Sequence, residues 1–245
     1  MATKKTSPQR TPLQITWLGH SAFRFDTPGG KTVLIDPWLD NPNAPSDAKP
    51  IDKLDLILIT HGHADHIGNA AELARKTGAK IIAIHEVAIY FKKHGVDSVD
   101  GMNKSGTVAF DGILITMVDA RHSSGIETEE VVLAGADPAG FVIQFEDGRK
   151  VYHAGDTGVF MDMKLIAELY RPDVAILPIG GLYTMGPREA AKAVGLLNPK
   201  IVIGMHYGTF PALQGTPAEL KKFLPAKHKK KVRVLEPGVP ITFPA

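Results

Sequence analysis

The hydrophobic pattern along the chain predicts a series of short strands. Apolar, β-branched runs of four to six residues recur between residues 13 and 203, and this length and composition are typical of strands. Some runs, such as Leu56–Ile59, are apolar at every position rather than at alternate ones, which favours strands covered on both faces. The predicted strands are Leu13–Trp17, Thr32–Ile35, Leu54–Ile59, Lys80–Ile84, Ile113–Val118, Phe141–Phe145, Val151–Ala154, Val174–Leu177 and Lys200–Ile203.

Apolar residues at helical spacing predict helices between and after these strands. Pro187 stands where the first turn of a helix tolerates proline, and Thr216-Pro217-Ala218-Glu219 is a capping box. The predicted helices are Ile67–Thr77, Glu86–His94, Met163–Tyr170, Pro187–Leu197 and Pro217–Leu224, and hairpin turns are predicted at Gly29-Gly30, Asp111-Gly112 and Asp147-Gly148. Strands in groups with helices between them predict a layered α/β fold.

Length and composition narrow the class of protein. The chain has 245 residues, of which 44% are hydrophobic and 22% charged, so it can bury a substantial core. We expect a frayed N-terminus over residues 1–12 and a single domain over residues 13–245. The net charge of +2 is too small to favour a nucleic acid or a membrane surface as partner.

The chain contains no cysteine, which excludes disulfides, thiolate metal sites and cysteine nucleophiles. Its first twelve residues are polar, and no later run approaches the ~18 apolar residues that a membrane span needs. From these features we predict a cytoplasmic protein.

The strongest chemical signal is an H-x-H-x-D-H motif directly after the run Leu56–Ile59. It contains His61, His63, Asp65 and His66. Imidazole and carboxylate groups suit zinc, manganese, iron or nickel, and four of them within six residues are costly to pack without a cation. In a loop, the first two histidines can point one way and the other two side chains another, which suits two adjacent ions. The alternative is a polar loop whose histidines face water.

Three further strands also end close to residues that can bind a metal. His122 follows Ile113–Val118, Asp156 follows the strand through Ala154, and His206 follows Ile201. Functional groups in α/β sheets gather beyond the carboxyl ends of strands, so we expect these residues to converge on the motif.

Several segments resemble the metallo-β-lactamase superfamily, in particular the uncharacterised metal-dependent hydrolases related to L-ascorbate-6-phosphate lactonase. These segments are Gly19-His20-Ser21-Ala22-Phe23, Ile35-Asp36-Pro37-Trp38, Thr60–His66, His153-Ala154-Gly155-Asp156-Thr157, Pro178–Met185 and Met205–Phe210, while Gly186 stands where an aspartate is expected. The resemblance implies a four-layer αββα sandwich of two mixed β-sheets flanked by helices, with a dinuclear metal site at one edge.

The resemblance also implies a role for each residue of the site. His61, His63 and His122 hold the first ion, Asp65, His66 and His206 the second, and Asp156 bridges them. Asp65 orients the attacking water and takes part in proton transfer. Asp36, and also His153, unless it is only structural, support the site from outside the ligand set. His20, which follows the first strand, is a substrate contact, an extra ligand or a strand-end cap. Because they stand beside predicted site loops, Trp38, Tyr183, Tyr207 and Phe210 either line the pocket or pack in the core or at the rim.

The chemistry expected of such a site is hydrolysis of a small ester or lactone by water or hydroxide that two divalent ions activate. Zinc is the default ion, and manganese, nickel and iron fit the same donors. The alternatives are a phosphodiesterase or nuclease, a di-iron oxidoreductase, and a non-catalytic metal-binding interaction module. The expected partner is a small molecule, and a homo-oligomer is compatible with the sequence. Lys104, Arg121 and Arg188 are candidate anchors for an anionic substrate.

Overall fold

The computed structural model describes residues 11–49, 51–128 and 130–243. Of the segment expected to be frayed, residues 1–10 lie outside this description. The strands are β1 (Gln14–Trp17), β2 (Phe23–Asp26), β3 (Thr32–Ile35), β4 (Leu56–Leu58), β5 (Lys80–Ile84), β6 (Val99–Met102), β7 (Thr107–Phe110), β8 (Ile113–Asp119), β9 (Gly125–Glu127), β10 (Val132–Ala134), β11 (Ala139–Gln144), β12 (Lys150–His153), β13 (Val174–Pro178), β14 (Ile201–Met205), β15 (Val232–Arg233) and β16 (Ile241–Thr242). The helices are α1 (Ala64–Ile67), α2 (Ala70–Thr77), α3 (His85–Lys93), α4 (Met163–Tyr170), α5 (Pro187–Leu197), α6 (Pro217–Phe223) and α7 (Ala226–Lys229).

The strands form two mixed sheets of seven strands each. The first has the order β16-β1-β2-β3-β4-β5-β6 and the second β15-β14-β13-β12-β11-β8-β7. In the first sheet the pairs from β16 to β3 are antiparallel and those from β3 to β6 parallel. The second sheet repeats this division, with antiparallel pairs from β7 to β12 and parallel pairs from β12 to β15. A separate antiparallel hairpin joins β9 and β10.

The sheets pack face to face, and the helices cover their outer faces. Phe25 of the first sheet lies against Phe145, next to the second sheet, with ring centroids 5.6 Å apart. Helices α2 and α3 pack on β5 and β6, while α5 packs on β13 and on α4 and α6. The expected αββα sandwich is confirmed. Within the described residues, no helix has the length and hydropathy needed to cross a membrane.

The predicted strands and hairpin turns are all present, with shifts of one or two residues at most ends. Helices α4 and α5 match their predicted bounds. The prediction of one helix over Ile67–Thr77 is wrong, because the chain forms α1 and α2 with a break at Gly68. Gly68 has a φ of +33°, and a Cβ there would lie 2.5 Å from the Cα of Trp38, so the loop after β3 packs directly against the break and leaves no room for a side chain.

Candidate metal centre

The predicted metal ligands meet at one edge of the sandwich, where parallel strands of both sheets end. The motif follows β4, Asp156 follows β12 and His206 follows β14, while His122 follows the antiparallel strand β8. Backbone hydrogen bonds join the sheets here. The amide of His206 donates to the carbonyl of His20, and the amide of Ala139 donates to that of Thr60. The convergence expected from the sequence is therefore present.

The first group of side chains is His61, His63 and His122, whose nitrogen atoms lie within 4.8 Å of one another. His61 Nε2 is 2.9 Å from His63 Nδ1. Two nitrogen ligands of one tetrahedral zinc ion lie about 3.3 Å apart, given Zn–N bonds of about 2.0 Å. The group therefore has nearly the spacing of a metal site.

The second group contains His20, Asp65, His66 and His206, with Asp156 between the two groups. Asp156 Oδ2 lies 2.9 Å from His206 Nε2, 3.3 Å from His66 Nε2 and 3.6 Å from His122 Nε2. Asp65 Oδ2 lies 3.9 Å from the Nε2 atoms of both His66 and His206. Asp156 is thus in reach of both groups, which is the position of a bridging ligand.

Unpartnered polar atoms at the centre of this cluster fit a cation. Among the described residues, Asp156 Oδ1 and His66 Nε2 are buried and have no hydrogen-bond partner. Leaving such atoms unpaired in a buried site costs about 1–3 kcal/mol each, and more when the group is charged. Histidine nitrogen and carboxylate oxygen are the donors that divalent transition metals prefer. The residues present therefore fit a divalent metal centre.

Electrostatics keep most of the histidines in the form that binds metals. Burial lowers the pKa of His61, His63 and His122, so their rings are neutral at neutral pH. Burial opposes protonation of His66 as well, but the carboxylates of Asp156, Asp36 and Asp65 outweigh it and raise its pKa.

Both carboxylates of the cluster stay ionised. Burial works against the charge of Asp65 and Asp156, yet the neighbouring histidines hold the pKa of each carboxyl below its usual range. The two carboxylates and the neutral imidazoles of His61, His63 and His122 therefore form a donor set that attracts cations, and His66 releases its proton when it joins that set.

A buried hydrogen-bond network outside the ligands fixes the tautomers of two histidines. Asp36 Oδ2 accepts a hydrogen bond of 2.8 Å from His66 Nδ1 and one of 2.7 Å from the Thr60 hydroxyl, while its Oδ1 accepts one of 2.9 Å from the Thr60 amide. Because the Thr60 hydroxyl donates to Asp36, it accepts from His61 Nδ1 at 2.9 Å. In its neutral form, each of these histidines therefore carries its proton on Nδ1 and directs an unprotonated Nε2 at the cluster.

His20 is fully buried beside Asp65. Its Nε2 lies 3.0 Å from Asp65 Oδ2 and its Nδ1 lies 2.8 Å from the Thr209 hydroxyl. Burial lowers the pKa of its imidazole to about 4. Its ligand atom also lies within 4.8 Å of those of Asp65, His66 and His206, so the role of an extra ligand stays open for His20 beside this contact with Asp65.

His153 lies outside the cluster. Its Nε2 donates to the carbonyl of Ser21 at 3.1 Å, and its Nδ1 accepts from the amide of Gly155 at 3.2 Å. The ring holds the backbone next to Asp156 and touches none of the predicted ligands through these bonds. This corresponds to the structural alternative for His153.

Three residues of the site have a left-handed backbone that glycine adopts more readily. They are His20 at φ +48°, Asp36 at φ +47° and His206 at φ +53°. Each stands just beyond a strand, where the chain turns sharply. The fold around His206 also requires a glycine, because a Cβ at Gly180 would overlap the carbonyl oxygen of His206.

A cleft of about 490 Å³ opens onto the cluster. Its lining residues are Trp38, His63, Ala64, Asp65, His122, Ser123, Glu127, Asp156, Tyr183, His206 and Phe210. The expectation that Trp38, Tyr183 and Phe210 line the pocket agrees with this geometry. Tyr207 does not line it, and instead stacks on Trp17 with ring centroids 5.3 Å apart.

The expected anchors for an anionic substrate do not line the cleft. Lys104 forms ion pairs of 2.6 Å with Asp119 and 3.2 Å with Asp137. Arg121 pairs with Asp119 at 3.4 Å, and Arg188 lines a separate groove between α5 and the segment of α6 and α7. Position in a loop near the motif was not enough to predict where these long side chains reach.

Sequence reasoning missed Thr60, Thr209 and Glu127 at the site. Thr60 stands next to the motif, so its position was a usable signal. Thr209 lies in the segment Met205–Phe210 that resembles the family, but its partner His20 is 189 residues away, and nothing in the chain marks Glu127.

The chain is similar in sequence to a known family and to several of its members. A family model described as the β-lactamase superfamily domain matches residues 14–206. The chain is 51% identical over 213 residues to a metal-dependent hydrolase of Koribacter versatilis, covering 86% of this chain and 91% of that protein. It is 50% identical over 228 residues to a metal-dependent hydrolase of Methanopyrus kandleri, covering 92% and 98% of the two chains.

A solved structure of a metallo hydrolase is also similar to this chain in fold. Igni18, described as a novel metallo hydrolase from the archaeon Ignicoccus hospitalis, superposes with a TM-score of 0.84 at 41% identity, covering 96% of this chain and all of that one.

Proposed function

Because this chain belongs to the β-lactamase superfamily and is one of its metal-dependent hydrolases, we propose that it holds two divalent ions and hydrolyses small esters or lactones. The observation that carries the proposal is Asp156, which is buried, has an unpartnered Oδ1 and lies between two groups of metal-binding side chains. A carboxylate in this position suits a bridge between two ions, and zinc is the default ion for histidine and aspartate donors.

The proposed ligand assignment follows the two groups. We assign His61, His63 and His122 to the first ion and Asp65, His66 and His206 to the second, and we assign His20, which lies in the same group, to the positioning of Asp65. Divalent ions in such a site lower the pKa of water to about 7 and polarise the oxygen atom of a carbonyl or phosphoryl group.

Asp65 is the residue that we assign to proton transfer. Its side chain is 29% exposed and lines the cleft, whereas Asp156 is almost completely buried. The hydrogen bond from His20 holds one carboxylate oxygen of Asp65 in place, so the carboxylate can orient a water molecule and pass its proton to the leaving group.

Lactones and esters are favoured over phosphodiesters by the walls of the cleft. Trp38 and Phe210 stack with ring centroids 5.8 Å apart and offer an apolar surface. No lysine or arginine of the described chain lines the cleft, although a polyanionic substrate gains most of its affinity from such residues.

The test is metal content and hydrolysis in the same preparation. We expect two divalent ions per chain and turnover of small esters or lactones in the unaltered protein. In Asp156→Asn we expect the loss of at least one ion per chain and of the hydrolysis. Asp55→Asn is the matched control, because Asp55 accepts a backbone hydrogen bond from Thr32 at 2.9 Å, far from the cluster. Full metal content and activity in Asp156→Asn would refute the proposed centre. Hydrolysis of phosphodiesters alone would favour the phosphodiesterase alternative, and metal binding without any hydrolysis would favour the interaction module.

A further inference from the structure

One wall of the cleft is the β9–β10 hairpin, and it is fixed to the metal-binding loop. Ile126 is buried against Gly62, where a Cβ would lie 2.7 Å from the side chain of Ile126. The Ser124 hydroxyl accepts a hydrogen bond of 3.1 Å from the amide of Gly62 and donates one of 2.8 Å to the carbonyl of Gly135. The hairpin therefore holds its side chains at a set position beside the cluster.

Glu127, at the end of β9, is the acidic residue that lines the cleft without belonging to the proposed ligand set. It forms no ion pair with any residue in the described ranges. Its charge is felt at the site, since it raises the pKa of His63 against the larger lowering effect of burial. Within the described residues, the cleft thus contains an exposed carboxylate that no lysine or arginine side chain compensates.

The remaining walls are aromatic or small. Trp38 and Phe210 stack, and the exposed ring of Tyr183 stands at the mouth of the cleft beside Leu182, whose side chain is also exposed. Exposed apolar residues gathered around a cleft usually contact a ligand. Lys104 and Arg121, which the sequence suggests as anchors for an anionic substrate, form ion pairs with Asp119 and do not line the cleft.

We propose that the cleft selects esters and lactones with an apolar acyl group, and that Glu127 makes it favour cationic over anionic substituents on that group. The proposal deepens the proposed function and rests on it. The aromatic walls hold the acyl chain, while Glu127 attracts an ammonium group and repels a carboxylate or phosphate group. Two unit charges about 6 Å apart at an effective dielectric constant of about 40 change binding about tenfold.

The test uses three 4-nitrophenyl esters of similar acyl length that differ in terminal charge: hexanoate, 6-(trimethylammonio)hexanoate and the adipate monoester. We expect kcat/KM of the metal-loaded protein to be at least tenfold higher for the ammonium ester than for the adipate ester. Glu127→Gln is expected to lower this ratio about tenfold, and Glu127→Lys to lower it further. Glu130→Gln removes an equal charge from the same hairpin outside the lining of the cleft, and it is expected to keep the ratio.

A binding measurement separates this inference from the proposed activity. The primary amides of the same three acids are titrated into the purified protein and followed by tryptophan fluorescence, with Trp38→Phe to identify the signal from the cleft. If no ester is hydrolysed, the proposed function fails, while tighter binding of the ammonium amide that disappears in Glu127→Gln still supports the role of Glu127. The inference would be overturned if the unaltered protein bound the three amides equally, or if its preference for the ammonium amide over the carboxylate amide were unchanged in Glu127→Gln.

Discussion

Asp36→Asn tests the link between the buried hydrogen-bond network and metal binding. The substitution keeps the shape of the side chain, and asparagine tolerates the left-handed backbone at this position. It replaces one carboxylate oxygen by an NH₂ group that can only donate. In the unaltered protein, Asp36 accepts three hydrogen bonds, two from Thr60 and one from His66.

Neither orientation of the new amide satisfies all three partners. If its oxygen faces the Thr60 amide, the NH₂ group faces His66 Nδ1, and His66 must carry its proton on Nε2, where it can no longer bind a metal. If its oxygen faces His66, the NH₂ group lies against the Thr60 amide, and two donors meet at about the 2.9 Å of the present bond.

The expected loss follows from these contacts. Losing an outer hydrogen bond of a ligating histidine lowers metal affinity about 10- to 100-fold, equal to about 1.4–2.7 kcal/mol. A hydrogen bond to a charged group contributes about 1.5–3 kcal/mol to folding, so the variant should also unfold more easily.

The assay is a chelator competition titration that counts the ions bound and measures their affinities, run beside chemical unfolding. Asp55→Asn is the control, since it removes a carboxylate that also accepts a backbone hydrogen bond but contacts no ligand. We expect Asp36→Asn to weaken binding of the ion assigned to His66. Binding of the ion assigned to His61 should stay closer to its original affinity. Unchanged affinity for both ions would refute the tautomer argument.

Three other outcomes are expected. His20→Asn should keep both ions but lower kcat about 10- to 100-fold, because Asp65 loses the hydrogen bond that positions it, and loss of an ion in elemental analysis would instead make His20 a ligand. Burial lowers the pKa of His153 to about 4, so between about pH 6.5 and pH 4 the unfolded chain binds a proton at this residue that the folded chain does not. This difference lowers the free energy of unfolding by on the order of 3 kcal/mol as pH falls through that range. Unfolding curves measured at several pH values should therefore depend less on pH in His153→Gln, and equally on pH in the control His85→Gln, whose side chain is exposed. Thr216→Ala removes the cap of α6, where the Thr216 hydroxyl accepts from the Glu219 amide at 3.2 Å, and should lower stability by about 1 kcal/mol in urea unfolding, whereas the exposed Ser46→Ala should have no measurable effect.

The sequence predicts the parts of this protein that depend on local pattern. Fully apolar runs such as Leu56–Leu58 mark strands covered on both faces, and the dense H-x-H-x-D-H motif marks the cluster. Several short strands were missed, among them β2 and β7, and one of them, β6, contains residues that form strands poorly. Val99–Met102 contains Asp100 and Gly101, and it is a strand because β5 pairs with it.

Contacts between distant residues were also out of reach. His20 and Asp65 are 45 residues apart, and the break at Gly68 depends on Trp38 from another loop. Long cationic side chains posed the same difficulty, since Lys104 turns to Asp119 rather than to the cleft. Pattern thus predicts which residue types gather at the strand ends, while packing decides which of them face the site.

The left-handed backbone at His20, Asp36 and His206 lowers the stability of the metal-free chain, so the ions of the proposed centre would add to the fraction of the protein that is folded. Each of these conformations costs about 1–2 kcal/mol relative to glycine, and a whole domain is stable by only about 5–15 kcal/mol. An ion present at about 100 times its dissociation constant restores about 2.7 kcal/mol, which is close to what two such residues cost. A cell short of metal would then hold less of this enzyme, and not only a less active form of it, because the metal-free chain unfolds more often and becomes accessible to proteases.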